Sequence, residues 1–391
     1  MTVLEEDRML MIEILFWFFI LLLLYTYFGY PRVLHIVAAL KKAKPIDKKR
    51  IYPAVTIIIP AYNEERSIAD KLRNVLELEY PAEKLEIIVV SDVSVDRTDE
   101  IVKGFAKQGV KLVRLEQRSG KIKAYRTVVP MAKGEIVIFS DATSLLDRNS
   151  VVEMVSNFND PRVGCVGGLL AYENPKEAIE GKGEHTYWDY ERRIRVDESG
   201  VASLTSVSGT LYAVYKCLYP LDMKDDLADD LIVPFTVVKN GYKAILEPAA
   251  LCKEYTVVAA DEEISKRSRI TIQNLRGLAE YARIMDPLKY GAYAWLVISH
   301  KLFRSIVPFF LLTVFLLNGI LAPYSVLYGA ICLCQVLFYS LGFAGYLLKR
   351  AGKLRVVNSI YYFCLSNLAI AVGIFRFFKG RRVATWEPVR T

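Results

Sequence analysis

The sequence predicts an α/β domain on a doubly wound parallel sheet, carried between membrane-spanning helices. Three observations point there. Short β-rich apolar runs alternate with stretches of helical period from residue 54 to 141, the pattern of strands joined by crossover helices. Three of those runs end in polar groups, at Tyr62-Asn63-Glu64, Asp92 and Asp141, and parallel sheets bind ligands at the carboxyl ends of their strands. The 391 residues are 53% hydrophobic and 24% charged. That is too apolar for an ordinary soluble enzyme and too charged for a bundle of spans alone.

The elements follow in order. Met9 to Tyr30 is a run of apolar residues long enough to cross a bilayer. Its leading flank is acidic and its trailing flank is Tyr-Gly-Tyr-Pro, so it reads as a retained anchor rather than a cleaved leader. Lys41, Lys42, Lys44, Lys48, Lys49 and Arg50 follow, and the excess of basic residues places that side, with the domain after it, in the cytoplasm. AVTIIIPAY is the first strand; ERSIADKLRNVLEL is a helix with Ile68, Leu72, Val75 and Leu76 on one face. LEIIVVSD, KLVRLE and EIVIFSD are further strands, separated by the helices DRTDEIVKGFAKQG, with Asp96 as its cap, and KIKAYRTVVPMA.

Beyond residue 160 the alternation weakens. VGCVGGLLAY and LTSVSGTLYAVY read as strands rich in small residues, with the helical stretch HTYWDYERRIRVDES between them. EEISKRSRITIQNLRGLAEYARIM carries basic residues at helical spacing. PLKYGAYAWLVISHKLFR mixes aromatics with Lys and His, as an interfacial helix does. Candidate spans cover 303–322, 325–348 and 357–378. Three crossings after a cytoplasmic domain leave the basic tail FRFFKGRRVATWEPVR outside, against the positive-inside rule. Either the last segment is re-entrant or 292–302 begins an extra crossing. The expected division is an anchor at 9–40, a catalytic domain at 50–285 and an interfacial and membrane region at 286–391.

The net charge is +8, much of it beside apolar runs, which favours anionic lipid headgroups over nucleic acid as the partner. The six cysteines form no metal-like pattern and no disulfide framework.

A carboxylate at the end of a buried strand, as at Asp141, needs a partner or a metal. Read alone, Asp141 is a strand–loop cap or a ligand; Asn63 and Glu64 cap a helix or line a site; Asp92 is a turn residue or a ligand; Asp229 and Asp230 favour a helix N-terminus or serve catalysis. The order of the motifs decides between these. IIIPAYNEE, EIIVVSDVSVDRT, SGKIKAY, GEIVIFSDATS, SVSGTLYAVYK, ADDLIVPFTVVKNGYK and QNLRG resemble, in sequence order, the family 2 glycosyltransferases of GT-A (Rossmann-like) fold. The likeness covers about residues 54 to 280, and is greatest to the membrane-embedded hyaluronan, chitin and poly-N-acetylglucosamine synthases.

The resemblance implies an inverting transfer from a nucleotide-sugar, UDP-linked, to a polysaccharide or lipid-linked acceptor. It places Tyr62 and Glu64 in the nucleotide pocket and Asp92 on the uracil edge. Lys121 would lie at the donor phosphates, and Asp141 on the Asp-X-Asp motif as ligand of a divalent cation, Mg²⁺ or Mn²⁺. Gly209 and Thr210 match the acceptor-side motif, Asp230 the catalytic base, and Gln273 and Arg276 the Gln-X-X-Arg-Trp motif that grips the diphosphate, with Arg269 as a further cation. Three positions depart: Thr143 replaces the second acid of Asp-X-Asp, Gly277 replaces the tryptophan of processive synthases, and Arg126 stands where many relatives have Asn. These departures motivate a second class of function, a catalytically weak membrane scaffold or sensor of a synthase complex. A transporter fits poorly, since the spans are few and carry little charge. The expected location is the plasma membrane, with the catalytic domain cytoplasmic and membrane lipids as neighbours.

Overall fold

The computed structural model describes residues 3–41, 44–172, 181–254, 260–348 and 355–383. Lys42 and residues 384–391 of the basic tail lie outside them.

Eight strands form one sheet: β1 (Val55–Ala61), β2 (Leu85–Ser91), β3 (Val110–Arg114), β4 (Ile136–Ser140), β5 (Leu145–Leu146), β6 (Val163–Tyr172), β7 (Leu211–Tyr215) and β8 (Lys243–Glu254), in the order β3-β2-β1-β4-β7-β6-β8-β5. The first four strands in the chain are parallel, as expected. Beyond residue 140, where the alternation weakens, the sheet becomes mixed: β7 runs antiparallel to both β4 and β6, and β5 antiparallel to β8. A short strand buried on both faces has the same composition in either direction, so its sense is not written in its residues. The consequence is local. Ser140 pairs with Leu211, so the end of β4 meets the loop before β7, and the Asp141 N–H lies 3.4 Å from the Thr210 carbonyl.

The period of two sorts the strand residues onto two cores. Ile57, Ile59, Ile136 and Ile138 face one apolar layer. Ile58, Val137 and Phe139 face the other, where Phe139 stacks on Tyr212 at 4.7 Å between ring centroids and lies 4.4 Å from Tyr125. Full burial of one such ring contributes about 1.5–3 kcal/mol.

The helices are α1 (Val3–Leu24), α2 (Tyr30–Leu40), α3 (Ile68–Leu76), α4 (Thr98–Gly104), α5 (Lys121–Val128), α6 (Ser150–Val155), α7 (Gly181–Val201), α8 (Asp229–Lys239), α9 (Ala260–Glu280), α10 (Pro287–Tyr290), α11 (Ala292–Leu296), α12 (Phe303–Leu321), α13 (Val326–Leu348) and α14 (Arg355–Phe378). Four helical stretches are long and apolar enough to cross a membrane: Glu5–Leu40, Ala292–Tyr324, Val326–Leu347 and Val356–Phe378. The chain is a membrane protein. Among the described residues every cysteine is a free thiol.

The segment 292–302 is continuous with the helix that follows it. A π-helical turn, Val297–Leu302, joins α11 directly to α12, and Tyr293, Leu296 and Val297 belong to the domain core. The α14 helix ends on the domain. Gly373 packs so closely on α9 that a Cβ there would stand 2.7 Å from Thr271 Cβ. Arg376 donates to Ser268 Oγ at 2.9 Å, and Gln273 Nε2 to the Val383 carbonyl at 3.2 Å. The start of the basic tail is therefore held against the domain, the side the charge rule prefers for it. In a background without exposed native thiols, Lys49→Cys and Lys379→Cys should label from one side and Tyr324→Cys from the other. Labelling of residues 49 and 379 from opposite sides would overturn this arrangement.

Candidate active site

The β4 end is anchored from below. Lys71 of α3, fully buried, donates to Ser140 Oγ at 2.7 Å and to the Ser144 carbonyl at 2.6 Å. Burial pulls its ammonium down to about 7, partly offset by Cys252 and Asp141. Ser144 Oγ donates to the Asp141 carbonyl at 3.0 Å, so the turn is held on both sides. What remains at the tip is the Asp141 carboxylate, which accepts from Lys121 Nζ at 2.8 Å. That ammonium also donates to the Gly209 carbonyl at 3.0 Å. Burial opposes its charge, but Asp141, Asp229 and Asp230 hold its pKa above the ordinary lysine value.

Gly209 lies between the two ends of the site. A Cβ there would stand 3.7 Å from Lys121 Nζ and 3.9 Å from Asp230 Cβ, which leaves it the smallest wall available. Thr210 turns away, with its hydroxyl 2.7 Å from Ser208 Oγ. Asp229 and Asp230 open α8 and so favour its N-terminus. The four carboxylates of DDLADD then divide. Asp225 accepts from Arg126 at 2.9 Å, Asp226 pairs with Arg276 at 3.0 Å, and Asp229 accepts from the Tyr212 hydroxyl at 2.7 Å. The Asp230 side chain accepts no hydrogen bond among the described residues. Burial and then Asp229 push its pKa up to about 6, against the pull of Lys301, Lys121 and Arg195. A carboxylate with idle lone pairs and a pKa near neutrality suits a general base.

The other predicted positions sit along the nucleotide side. Arg118 lies over the Tyr62 ring, 3.9 Å from its centroid. Asn63, at φ 55°, accepts from the Val95 N–H at 2.9 Å, so it braces the β1 loop on the β2 loop and caps no helix. Glu64 accepts from Ser67 Oγ at 2.7 Å, and burial, then Asp141, Asp96 and Glu254, raises its pKa to about 7. Asp92 is buried and accepts from the backbone N–H groups of Ser119 at 2.7 Å and Gly120 at 2.9 Å. Each of its oxygens is engaged in holding the loop that delivers Lys121, and a base N–H would have to share one of them.

On α9 the expected residues have partners of their own within the chain. Arg276 pairs with Asp226 and reaches the Gly380 and Arg381 carbonyls at 3.4 and 3.3 Å. Gln273 faces Val383. Arg269 couples electrostatically to the centre formed by Lys121, Asp141 and Asp230: burial disfavours its charge, and Asp230 and then Asp141 favour it. Where processive synthases have tryptophan, a Cβ on Gly277 would lie 3.0 Å from both Ile232 Cδ1 and Leu231 Cδ2. The glycine lets α9 lie directly on the first turn of α8, and a larger side chain there would have to displace Ile232 and Leu231.

A divalent cation fits the oxygen set. Asp141 offers a carboxylate, and Thr143 Oγ1 donates to Glu254 Oε1 at 3.0 Å, which brings a second carboxylate to the position of the missing acid. Burial, and then Asp141, raises the Glu254 pKa, the mark of like charges held together. Among the described residues no three His, Cys, Asp or Glu side chains gather as a metal group. Such a site matches a hard cation held by one or two carboxylates and substrate phosphates. Glu254 and Lys71 were not foreseen. Lys71 falls on the same helical face as Leu72 and Val75, which is the one sign its sequence carries.

Residues 56–212 match the model for Glycosyl transferase family 2. The chain is 29% identical over 205 residues to the poly-beta-1,6-N-acetyl-D-glucosamine synthase of Staphylococcus aureus (strain COL), covering 51% of this chain and 49% of that protein. It is 29% identical over 225 residues to the synthase of the same name from Staphylococcus epidermidis, covering 54% of each. The chain thus spans about half the length of these curated relatives. Among solved structures, the mannosyltransferase PcManGT from Pyrobaculum calidifontis, in complex with GDP-Man and Mn²⁺, aligns over 94% of this chain and 100% of its own, with a TM-score of 0.69 and 24% identity.

Proposed function

From a chain that carries a family 2 glycosyl transferase domain on a GT-A sheet, we infer an inverting transferase that moves a sugar from a nucleotide donor to a glycan or lipid-linked acceptor at the membrane. The observation that carries this reading is Asp230, the one carboxylate of its acidic motif with neither a hydrogen bond nor an ion pair among the described residues, facing Lys121 across Gly209. In this reading Asp230 takes the proton of the acceptor hydroxyl. The freed oxygen forms the new bond to the donor's anomeric carbon, and the nucleotide diphosphate leaves on the opposite side. Lys121 and Arg269 face the departing charge, and burial of both strengthens their attraction for it. Asp141 and Glu254 would hold the divalent cation, Mg²⁺ or Mn²⁺, which as a Lewis acid neutralises diphosphate charge. Tyr62, Glu64 and Asp92 form the wall against which the nucleotide lies.

The relatives named for poly-N-acetylglucosamine synthesis favour UDP-N-acetylglucosamine as donor, and the domain faces the cytoplasm from the plasma membrane. Membranes containing the chain, given a panel of labelled UDP- and GDP-sugars, should release nucleotide diphosphate and build labelled glycan or glycolipid from one of them. A panel with no turnover above control membranes would remove the transferase reading.

Arg269 and Arg276 separate by position. Arg269→Gln should weaken nucleotide diphosphate binding about tenfold or more, the scale of one charge-assisted contact. Arg276→Gln should leave that affinity within about twofold and instead loosen the 380–383 segment, read as faster amide exchange there. The reverse pattern in a nucleotide titration would restore Arg276 to the diphosphate.

A further inference from the structure

We propose that Lys301 is a positioning residue for the transfer: it fixes the buried loop 203–207, and through that loop the π-helical turn at the head of α12 sets where Asp230 and Gly209 stand. The inference rests on the transferase reading above, which gives Asp230 its task.

Residues 203–207 lead from α7 to the turn before β7 and belong to no helix or strand, yet all five are buried. Buried backbone outside a helix or a ladder must find its partners elsewhere. The end nearer α7 rests on β8, where the Leu204 N–H donates to the Ala244 carbonyl at 2.8 Å. The next partners come from helices at the membrane. The Tyr293 hydroxyl donates to the Leu204 carbonyl at 3.1 Å. Glu198 of α7, fully buried, accepts from the Thr205 N–H at 3.2 Å and from its hydroxyl at 3.0 Å. Glu198 in turn accepts from the Tyr30 hydroxyl at 2.9 Å and lies 2.6 Å from His300 Nδ1. Lys301 Nζ donates to Ser206 Oγ at 2.6 Å. Tyr293, His300 and Lys301 belong to the apolar stretch Ala292–Tyr324, and Tyr30 to Glu5–Leu40. Both stretches therefore bear on Leu204, Thr205 and Ser206, the second of them directly and the first through Glu198.

The loop then reaches the site. The Val207 N–H donates to the Asp230 carbonyl at 2.9 Å. The Gly209 carbonyl accepts from Lys121 Nζ at 3.0 Å, the ammonium that also holds Asp141. The path from Lys301 to the base is short: one hydrogen bond to Ser206, one peptide unit to Val207, one hydrogen bond to the backbone of Asp230. A misplacement of about 1 Å at a reacting group costs on the order of a hundredfold in rate. Tyr62 and Asp92, on the nucleotide side, follow β1 and β2 and stand outside this path. A loosened loop should therefore slow transfer and spare nucleotide binding.

The test uses the full chain in nanodiscs, assayed for transfer from the panel of UDP- and GDP-sugars and titrated with UDP and GDP in the presence of Mn²⁺. Lys301→Met keeps most of the stem and removes the donor. Ser206→Ala removes the same bond from the loop side and changes no charge, so a loss there reports position and not field. Each should slow transfer about tenfold or more, with nucleotide affinity within about twofold of the wild type. The double variant should be no slower than the slower single, because both substitutions delete one bond. Losses that multiply in the double variant, nucleotide affinity that falls in step with transfer, or near-native transfer by Ser206→Ala would each overturn the inference. If Lys301→Met does not fold, Ser206→Ala and Tyr293→Phe, each lacking one hydroxyl, decide by the same separation of rate from affinity. Equal transfer by the wild type and these variants sinks the positioning role alone and leaves the transferase reading standing. A wild type that turns over no donor sinks the transferase reading, and the positioning role with it.

Discussion

Asp230→Asn should give a folded protein that binds nucleotide and transfers no measurable sugar. The amide keeps the shape of the side chain and removes the proton acceptor. Base catalysis is worth roughly 10²–10⁴ in rate, and the loss should fall in that range or beyond. Nucleotide affinity should hold, because Tyr62, Lys121, Asp141 and Arg269 are untouched. The wild-type pH profile carries the same signature. Burial and Asp229 raise the Asp230 pKa to about 6, so transfer should fall with acidity below about that pH as the base is protonated. Asp229→Asn is the comparison. Both residues lie in the first turn of α8, where a carboxylate is worth about 0.3–1 kcal/mol through the helix dipole. Asp229 in addition accepts from Tyr212, so its variant should lose stability and keep its rate. Near-native transfer by both folded variants would make Asp230 a helix-end charge and nothing more.

Asp141→Asn should be the second large effect. Asp141 is the carboxylate at the tip of the β4 turn, and Lys121 is held against it. Removing its charge takes away a cation ligand and frees Lys121 from its partner. The transfer rate should fall about a hundredfold or more, since a bound cation supplies several kcal/mol of charge stabilisation. Mn²⁺ binding, followed by the loss of its free-ion paramagnetic signal, should weaken in parallel. Thr143→Ala removes one hydroxyl that steadies Glu254 and should cost less than about tenfold. Full activity in excess chelator, or Mn²⁺ affinity unchanged in Asp141→Asn, would make Asp141 a structural residue of the turn.

The parts of this architecture visible in the sequence are those written in local pattern. The β-rich run AVTIIIPAY marked the strand that the structure forms at Val55–Ala61, and the apolar runs marked helices that it forms at Phe303–Leu321, Val326–Leu348 and Arg355–Phe378. Lys121, Asp141, Gly209 and Asp230, named from separate motifs, come together in the structure because each stands near a strand end or a helix start. The direction of β7 was not, since no residue of a doubly buried strand reports its sense. The pairing of Arg276 with Asp226 was hidden for a different reason: it joins residues 50 positions apart through the packing of α9 on α8, which Gly277 permits. Lys71 was masked by its charge, because a lysine at an apolar helical position reads as an exposed interruption until the acceptors Ser140 and Ser144 are placed above it.

The most direct measurement is the anomeric configuration of the product. The proposed reaction, with Asp230 as base on one side of the sugar and Lys121, Asp141 and Arg269 facing the leaving diphosphate on the other, is a single displacement. Proton NMR of the first product formed from an α-linked nucleotide-sugar should show a β-glycosidic linkage. An α-linked product would require two displacements or a front-side path, and would contradict the role assigned to Asp230.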